Sequence, residues 1–336
     1  MYKILLVFTF LLFADMLDAQ NLERCGHDLL MQQYEAKYPS FNQVRNNTYQ
    51  HALQYGNNAS AKQSIFPDSI VRIPVVVHIV YENATENLDD SLVHNQIEML
   101  NKSFRMTDPD TINVRSFFDT LRGDAQIEFF LTKEDENGDS TTGITRTPTT
   151  EDSFFDFTNL DAIKSSVSGG TEAWDTERFL NIWVGDLSFN GQPSVLGFAY
   201  PPMGGVDSIW PPNSSASAPG FDGVVVHYEV FGDRNPLSSG GGALSFADRG
   251  RTGVHEVGHY LGLRHIWGDG GSPFLPGPPD CSVDDGIADT PNSGNNSQQT
   301  GCSPSKNTCS ASSGYNYPDM WENYMDYSEE SCQVIF

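Results

Sequence analysis

The stretch Gly253-Val254-His255-Glu256-Val257-Gly258-His259-Tyr260-Leu261-Gly262-Leu263-Arg264-His265 decides how this chain is read. His255 and His259 stand four residues apart, so a helix stacks both imidazoles on one face. That spacing suits two nitrogens at about 2.0–2.1 Å from one zinc ion. Glu256 sits one residue along, where its longer arm reaches a water on the metal rather than the metal itself. Gly262 lies three residues past the second histidine. A helix stops readily at glycine, because left-handed backbone costs it little. The chain then turns and brings His265 back as a third ligand. Three neutral nitrogens leave a fourth position open, the arrangement of a catalytic rather than a structural zinc. A helix with two satisfied surface histidines would explain neither Glu256 nor the Gly262–His265 turn.

Working outward, the helix that carries this motif is expected from about Ser245 to Leu263. The glycine run at 240–242 before it has no lysine after it, so it is a flexible loop and not a phosphate cradle. The β-branched run Val71 to Tyr81 predicts a buried strand. Further strands are expected at Ala125–Leu131, Phe179–Val184 and Gly223–Val230. Asp90 to Phe104 reads as an amphipathic helix, with Leu92, Ile97, Leu100 and Phe104 on one side. Asp135 to Asp139 lacks the glycine and final Glu of a calcium loop at the proper positions and reads as a hairpin tip. Beyond residue 263 the chain is rich in Pro, Gly, Ser and Asn and holds four cysteines. This order predicts a mixed α/β sheet followed by an irregular lower half. There is no internal repeat.

The chain has 336 residues, enough for a sizeable core and about one to two domains, and its aromatic content of 12% is globular. Its net charge of -25 is uneven. Residues 1–69 carry five Lys/Arg against six Asp/Glu, and the rest fourteen against thirty-eight. Such a surface repels nucleic acid and anionic membranes and steers basic peptides inward. Lys3, the apolar run Ile4–Phe13 and the small residue Ala19 read as an export signal over 1–19. The run is too short for a membrane span, and no other stretch is long and apolar enough to make one. Export implies an oxidising compartment in which cysteines pair. Residues 20–69 are polar, with little periodicity, and read as a pro-segment or mobile leader. Its cut is expected between Asn58 and Arg72. His27, His51, His78, His94 and His227 are isolated and read as strand or surface residues, with His227 a candidate for a substrate-pairing edge strand.

The zinc motif is not alone. With Asn323-Tyr324-Met325-Asp326-Tyr327-Ser328, Gly286-Ile287-Ala288-Asp289-Thr290-Pro291, Gly143-Ile144-Thr145-Arg146 and Ile73-Pro74-Val75-Val76-Val77-His78, it resembles the metzincins, and within them the pappalysin family. The resemblance spans about residues 70–336 and touches the leader. It implies an α+β fold: a twisted mixed β-sheet with backing and active-site helices above an irregular, disulfide-stapled lower subdomain. It implies a secreted zinc endopeptidase, made as a latent zymogen, that cleaves protein or peptide substrates with Glu256 as general base. Met325 would be a hydrophobic floor under the metal, and Tyr327 would donate to the oxyanion.

Of the three pairings open to Cys281, Cys302, Cys309 and Cys332, the resemblance implies Cys281–Cys309 and Cys302–Cys332. It makes Cys25, in Arg24-Cys25-Gly26, a switch residue that ligates zinc in the latent form. It also implies calcium held by Asp285, the Ile287 carbonyl and Thr290. Glu329 and Glu330 fall where the fold forms the pocket just past the scissile bond, and would either favour Arg or Lys there or simply face water. The domains would be a signal peptide at 1–19, a pro-segment with its cysteine switch at 20–69 and the protease domain at 70–336. Family members usually continue that domain into a further helix. The alternative from another class is a catalytically inert secreted binding or adhesion protein on the same fold.

Overall fold

The computed structural model describes residues 22–37, 41–56, 70–202, 222–268, 279–297, 301–309 and 317–336. The export-signal reading and most of the expected cut segment lie outside them. The central strand is β1 (Val71–Tyr81), with Val75 to Val80 buried on both faces. β2 (Ile127–Leu131) and β3 (Ile144–Pro148) pair in succession with its two halves along one side, both parallel. On its other side follow β4 (Leu180–Gly185), parallel, and β8 (Gly223–His227), parallel to β4. The sheet ends at β7 (Gly197–Tyr200), its one antiparallel member among the described residues. A small ribbon of β5 (Ser188–Phe189) and β6 (Gln192–Pro193) precedes it. The β1 expectation holds over its whole range, and the other three expected strands fall within one to three residues of their expected ends. β3 and β7 are not foreseen, because each is short.

The sheet's two faces separate two cores. On one side Val75, Val77, Ile79, Ile182, Val184, Val224 and Val226 meet the helix Asp90–Phe104, here α3, and the motif helix. α3 forms where expected: the Asp89 carboxylate caps it by accepting from Ser91 N at 2.8 Å. Its Val93, Ile97, Leu100 and Phe104 make the buried stripe. The motif helix, α4, runs from Arg251 to Tyr260, shorter than the expected Ser245–Leu263. Gly250 at φ 65° breaks it at one end and the turn at Gly262, φ 93°, at the other.

The described parts of the expected leader, 22–37 and 41–56, are largely helical, which the composition did not foretell. They form α1 (His27–Lys37) and α2 (Phe41–Gly56). Leu30, Met31, Tyr34 and Phe41 are buried against Val80, Trp183, Phe198, Tyr200 and Val225 on the sheet's second face. Each such side chain contributes about 1.5–3 kcal/mol by leaving water. The apolar stripe of α1 is only three residues long, so the polar remainder hides it. Below the sheet, Cys281–Cys309 and Cys302–Cys332 staple the loop-rich half.

His78 and His227 are buried within the sheet. β8 lies between β4 and β7, so His227 is on an internal strand and not on a substrate-pairing edge. Its Nδ1 accepts from Leu187 N at 3.0 Å and its Nε2 faces Glu229 Oε2 at 3.1 Å. His78 bonds Asn181 Oδ1 at 2.9 Å and Thr145 Oγ1 at 2.8 Å. Burial pushes its pKa down to about 4. A neutral histidine in the fold and a free one in the unfolded chain give a signed expectation. Stability should fall as pH drops from about 6.5 to about 4, by up to about 3 kcal/mol from this residue. Denaturant unfolding at pH 7 and pH 4.5 should show that fall in the wild type and a smaller one in His78→Asn; equal falls would exclude His78 as the cause.

Candidate metal centre

α4 carries His255, Glu256 and His259 on a helix whose every residue is buried. The turn after Gly262 returns His265 to the same place. His259 Nε2 lies 3.1 Å from both His255 Nε2 and His265 Nε2. The other nitrogens point outward. His255 Nδ1 bonds the Tyr324 carbonyl at 2.7 Å, and His259 Nδ1 the Leu263 carbonyl at 2.9 Å. A carbonyl accepts only, so both Nδ1 atoms carry the proton and both Nε2 atoms present lone pairs. Burial holds all three imidazoles well below the ordinary histidine range, hence neutral. Two fixed lone pairs and the His265 Nε2 are thus gathered where one cation can accept all three nitrogens. Tetrahedral nitrogens about 2.0–2.1 Å from one ion stand a little over 3 Å apart. The donor set therefore fits a metal ion.

The ligand atoms of Cys25, His255, His259 and His265 all lie within 4.8 Å of one another. Among the described residues they form the one such group of His, Cys, Asp or Glu. Cys25 Sγ accepts from His27 N at 3.4 Å and lies 3.4 Å from Glu256 Oε2. Burial pushes the Cys25 thiol and the Glu256 carboxyl both well up. Glu256 Oε1 is buried with no hydrogen-bond partner. Oε1 lies on the side of Gly197 of β7, and Oε2 on the side of Cys25.

The walls come from three places. Trp267 stacks on His265 at 4.4 Å between centroids. Met325 joins Cys25, Ile266, Trp267 and Tyr327 in one apolar cluster. The Tyr327 ring stands 5.1 Å from His265 and 5.8 Å from His255, and its hydroxyl donates to the Cys25 carbonyl at 3.3 Å. His27, set aside in the sequence reading, lies flat on His259 at 4.1 Å and bonds the Ala199 carbonyl at 2.9 Å. Asp28 Oδ2 comes within 3.9 Å of His265 Nδ1. Both follow from α1 starting right after Cys25. No spacing rule links them to the motif more than 220 residues on.

Ahead of α1, Glu23 makes an isolated parallel bridge with Val195. Glu23 N donates to Ser194 O at 2.8 Å and Gly26 N to Gly197 O at 2.7 Å, alongside the approach to β7 and in the same direction. Arg24 turns into a closed pocket beneath. Its Nη1 donates to the Ser328 carbonyl and, at 3.4 Å, to that of Tyr327, while its Nη2 donates to Gln333 Oε1 at 3.2 Å. Glu330 Oε1 lies 3.5 Å away. Glu330 does not face water, as one reading of the sequence allowed, but is fully buried; its neighbour Glu329 is half-buried. Gln333 was not foreseen. In the turn expected to hold calcium, Asp285 Oδ1 accepts from Ile287 N at 2.9 Å, and the Ile287 carbonyl from Thr290 N at 3.2 Å. Asp284 and Asp289 are exposed.

The sheet with one antiparallel edge strand, the motif helix ended at a glycine, and the methionine turn beneath three histidines define a metzincin metalloendopeptidase. A family description for pregnancy-associated plasma protein-A matches residues 244–336. Among solved structures, a mutant of Tannerella forsythia promirolysin superposes with a TM-score of 0.71 at 38% identity, over 93% of this chain and 89% of that one. Mature mirolysin of the same organism, in complex with a cleaved peptide, gives 0.66 at 41% identity, over 80% and 88%. An extracellular metalloprotease of Arthroderma otae is 25% identical over 79% of this chain and 73% of its own. The chain belongs to the pappalysin family. No helix among the described residues is long and apolar enough to cross a membrane.

Gly258 faces the methionine turn. A Cβ there would come within 2.5 Å of Met325 Sδ. Gly258→Ala should therefore destabilise the protein by about 1–3 kcal/mol through overpacking. Thermal unfolding should show a Tm lowered by several degrees and partly restored in Gly258→Ala with Met325→Ala. An unchanged Tm in the single variant would place Met325 elsewhere.

Proposed function

We propose that this metalloendopeptidase is a secreted zinc enzyme held latent by its own leader, with Glu256 as general base. The observation that carries the reading is the convergence of three neutral imidazole Nε2 atoms beside an unsatisfied Glu256 oxygen. Nitrogen donors with a thiol in reach suit zinc better than calcium or magnesium. His255, His259 and His265 would hold the ion, with Cys25 as fourth ligand in the latent chain. When bound, zinc polarises a peptide carbonyl and lets water ionise near pH 7.

The remaining steps belong to the chain. Glu256 takes the proton of the attacking water and passes it to the leaving amine. Its buried, unpaired oxygen suits it to accept. The Tyr327 hydroxyl donates to the developing oxyanion. In the latent chain that hydroxyl is engaged by the Cys25 carbonyl instead. Met325 supports the histidines from below without ligating. Arg24 stands in for a basic substrate residue just past the scissile bond, in the pocket with Glu330 and Gln333. Asp285, the Ile287 carbonyl and Thr290 are the calcium ligands of this reading. Burial pushes Asp285 up to about 7, and a hard cation alongside would restore its charge. Peptide substrates are supported by the cleaved peptide bound to mirolysin, and export by relatives named extracellular metalloproteases.

Two substitutions test the reading. Processed Glu256→Ala should retain about one zinc per chain by elemental analysis, yet lose cleavage of a denatured protein by at least ~100-fold. Retained turnover in a zinc-loaded sample would remove Glu256 as the base. Full-length Cys25→Ser should cleave substrate before any processing, because a neutral hydroxyl is a poor zinc ligand. Absence of early activity in that variant would mean that the thiol does not hold the enzyme latent.

A further inference from the structure

The three imidazoles of the metal centre are held in two different ways. His255 and His259 ride on α4. The Glu330 carboxylate caps the head of that helix, accepting from Thr252 N at 2.6 Å, Thr252 Oγ1 at 2.8 Å and Arg249 N at 2.6 Å. Helix pitch then aims both rings, and a backbone carbonyl takes each Nδ1 proton. His265 lies beyond the end of α4 and takes no direction from it. A tight turn grips it instead. Gly268 N donates to the His265 carbonyl at 2.8 Å, and Gly268 takes φ 77°. The closed turn lays the Trp267 indole flat on the His265 imidazole, 4.4 Å between centroids and 7° from parallel. The turn has no slack on its far side: a Cβ at Gly268 would lie 2.9 Å from the Asp284 carbonyl oxygen.

The same indole meets a second functional ring. Tyr327 stands edge-on to Trp267 at 4.8 Å and 76°, and edge-on to His265 at 5.1 Å and 82°. Indole, imidazole and phenol thus meet pairwise, in the stacked and edge-to-face arrangements that aromatic quadrupoles favour. Ile266 and Met325 close the cluster. Trp267 and Tyr327 are both buried, so neither ring can turn without displacing the other.

We propose that Trp267 is a positioning residue for peptide cleavage. Through ring contact it sets where the His265 Nε2 and the Tyr327 hydroxyl stand. The inference rests on the protease reading above, in which His265 ligates zinc and Tyr327 donates to the oxyanion. A displaced ligand gives up its metal sooner. A displaced hydroxyl loses stabilisation only where the oxyanion forms, so that loss falls on kcat and not on KM.

Three substitutions in processed, zinc-loaded enzyme separate these effects. Trp267→Leu removes the flat ring, Trp267→Phe keeps one, and Tyr327→Phe removes only the hydroxyl. The first measurement needs no turnover: it follows zinc passing to a chromogenic chelator. Trp267→Leu should release zinc about tenfold or more faster than wild type, with Trp267→Phe and Tyr327→Phe within about threefold of it. The second follows cleavage of one peptide. Trp267→Leu should lower kcat by roughly tenfold or more with KM within about twofold, and Trp267→Phe should keep kcat within about threefold of wild type. Beside Tyr327→Phe, Trp267→Leu should lower kcat by less than about threefold, because the hydroxyl it would misplace is already gone.

Zinc release and kcat both near wild type in Trp267→Leu would overturn the proposal. Equal kcat losses in the two backgrounds would also overturn it, since the indole would then not act through Tyr327. Thermal unfolding checks that Trp267→Leu is folded. If it is not, Trp267→Met, which fills more of the volume without a ring face, takes its place with the same expected results. Fast zinc loss confined to the ringless variants, in a chain that cuts no peptide, would uphold the grip on His265 and count against the protease reading instead.

Discussion

Three imidazoles are held with their Nε2 atoms facing one another in a buried site. Everything else around the centre serves that constraint. Backbone carbonyls of Tyr324 and Leu263 fix two tautomers, so those rings cannot turn a proton inward. Burial holds all three rings neutral. Helix geometry sets the His255–His259 spacing, and the left-handed turn at Gly262 sets the third ring. A cation is what makes this arrangement favourable, and the fold keeps a hydrogen-bonded second layer so that it need not rearrange to receive one.

The leader meets that constraint as a folded element and not as a loose plug. Cys25 arrives with three other anchors: Arg24 in its pocket, His27 flat on His259, and the apolar side of α1 on the sheet's second face. Tyr49 of α2 adds a more distant hold, with its hydroxyl on the Asp285 carbonyl and the Arg264 guanidinium 3.9 Å over its ring. Because these contacts are spread over some thirty residues, no single one carries the whole attachment. The apolar side of α1 covers Val195, Phe198 and Tyr200 beside the edge strand. The surface that buries the leader is therefore continuous with the strand edge along which an extended peptide would lie.

How much of this was legible depends on the range of the interaction. The motif helix, its third histidine and the central strand are written in local spacing, since helix pitch and strand alternation act over a few residues. The methionine turn could be tied to the metal only through family likeness, because nothing in Asn323-Tyr324-Met325 announces a partner seventy residues back. α1 was missed because Leu30, Met31 and Tyr34 in a mostly polar helix give little amphipathic signal, although they face a large apolar sheet. His27 could be valued only once Cys25 had been docked. Gln333 was invisible for a plainer reason: a neutral amide acquires a role when two backbone carbonyls and an arginine are brought to it. Glu330 was read as an exposed or substrate-facing charge, when its bonds are mostly to backbone.

The lower half has little apolar core of its own, so polar clamps give it rigidity. Arg251, at the head of α4, donates to the carbonyls of Glu330 and Gln333 and to the Asp110 carboxylate. Arg115 holds Glu322 through two guanidinium nitrogens, at 2.8 and 2.5 Å. Between Glu330 and Gln333 lies Cys332, pinned to Cys302. The segment that forms the pocket is thus anchored to the start of the metal helix, to the irregular loops and to the turn under the histidines within four consecutive residues. A side chain that fills this pocket presses on a loop that cannot yield without disturbing the cap of α4. Occupancy of the pocket and alignment of Glu256 are therefore mechanically linked. The cap of the metal helix is drawn from so far along the chain because the same four residues tie that helix to the turn under the histidines.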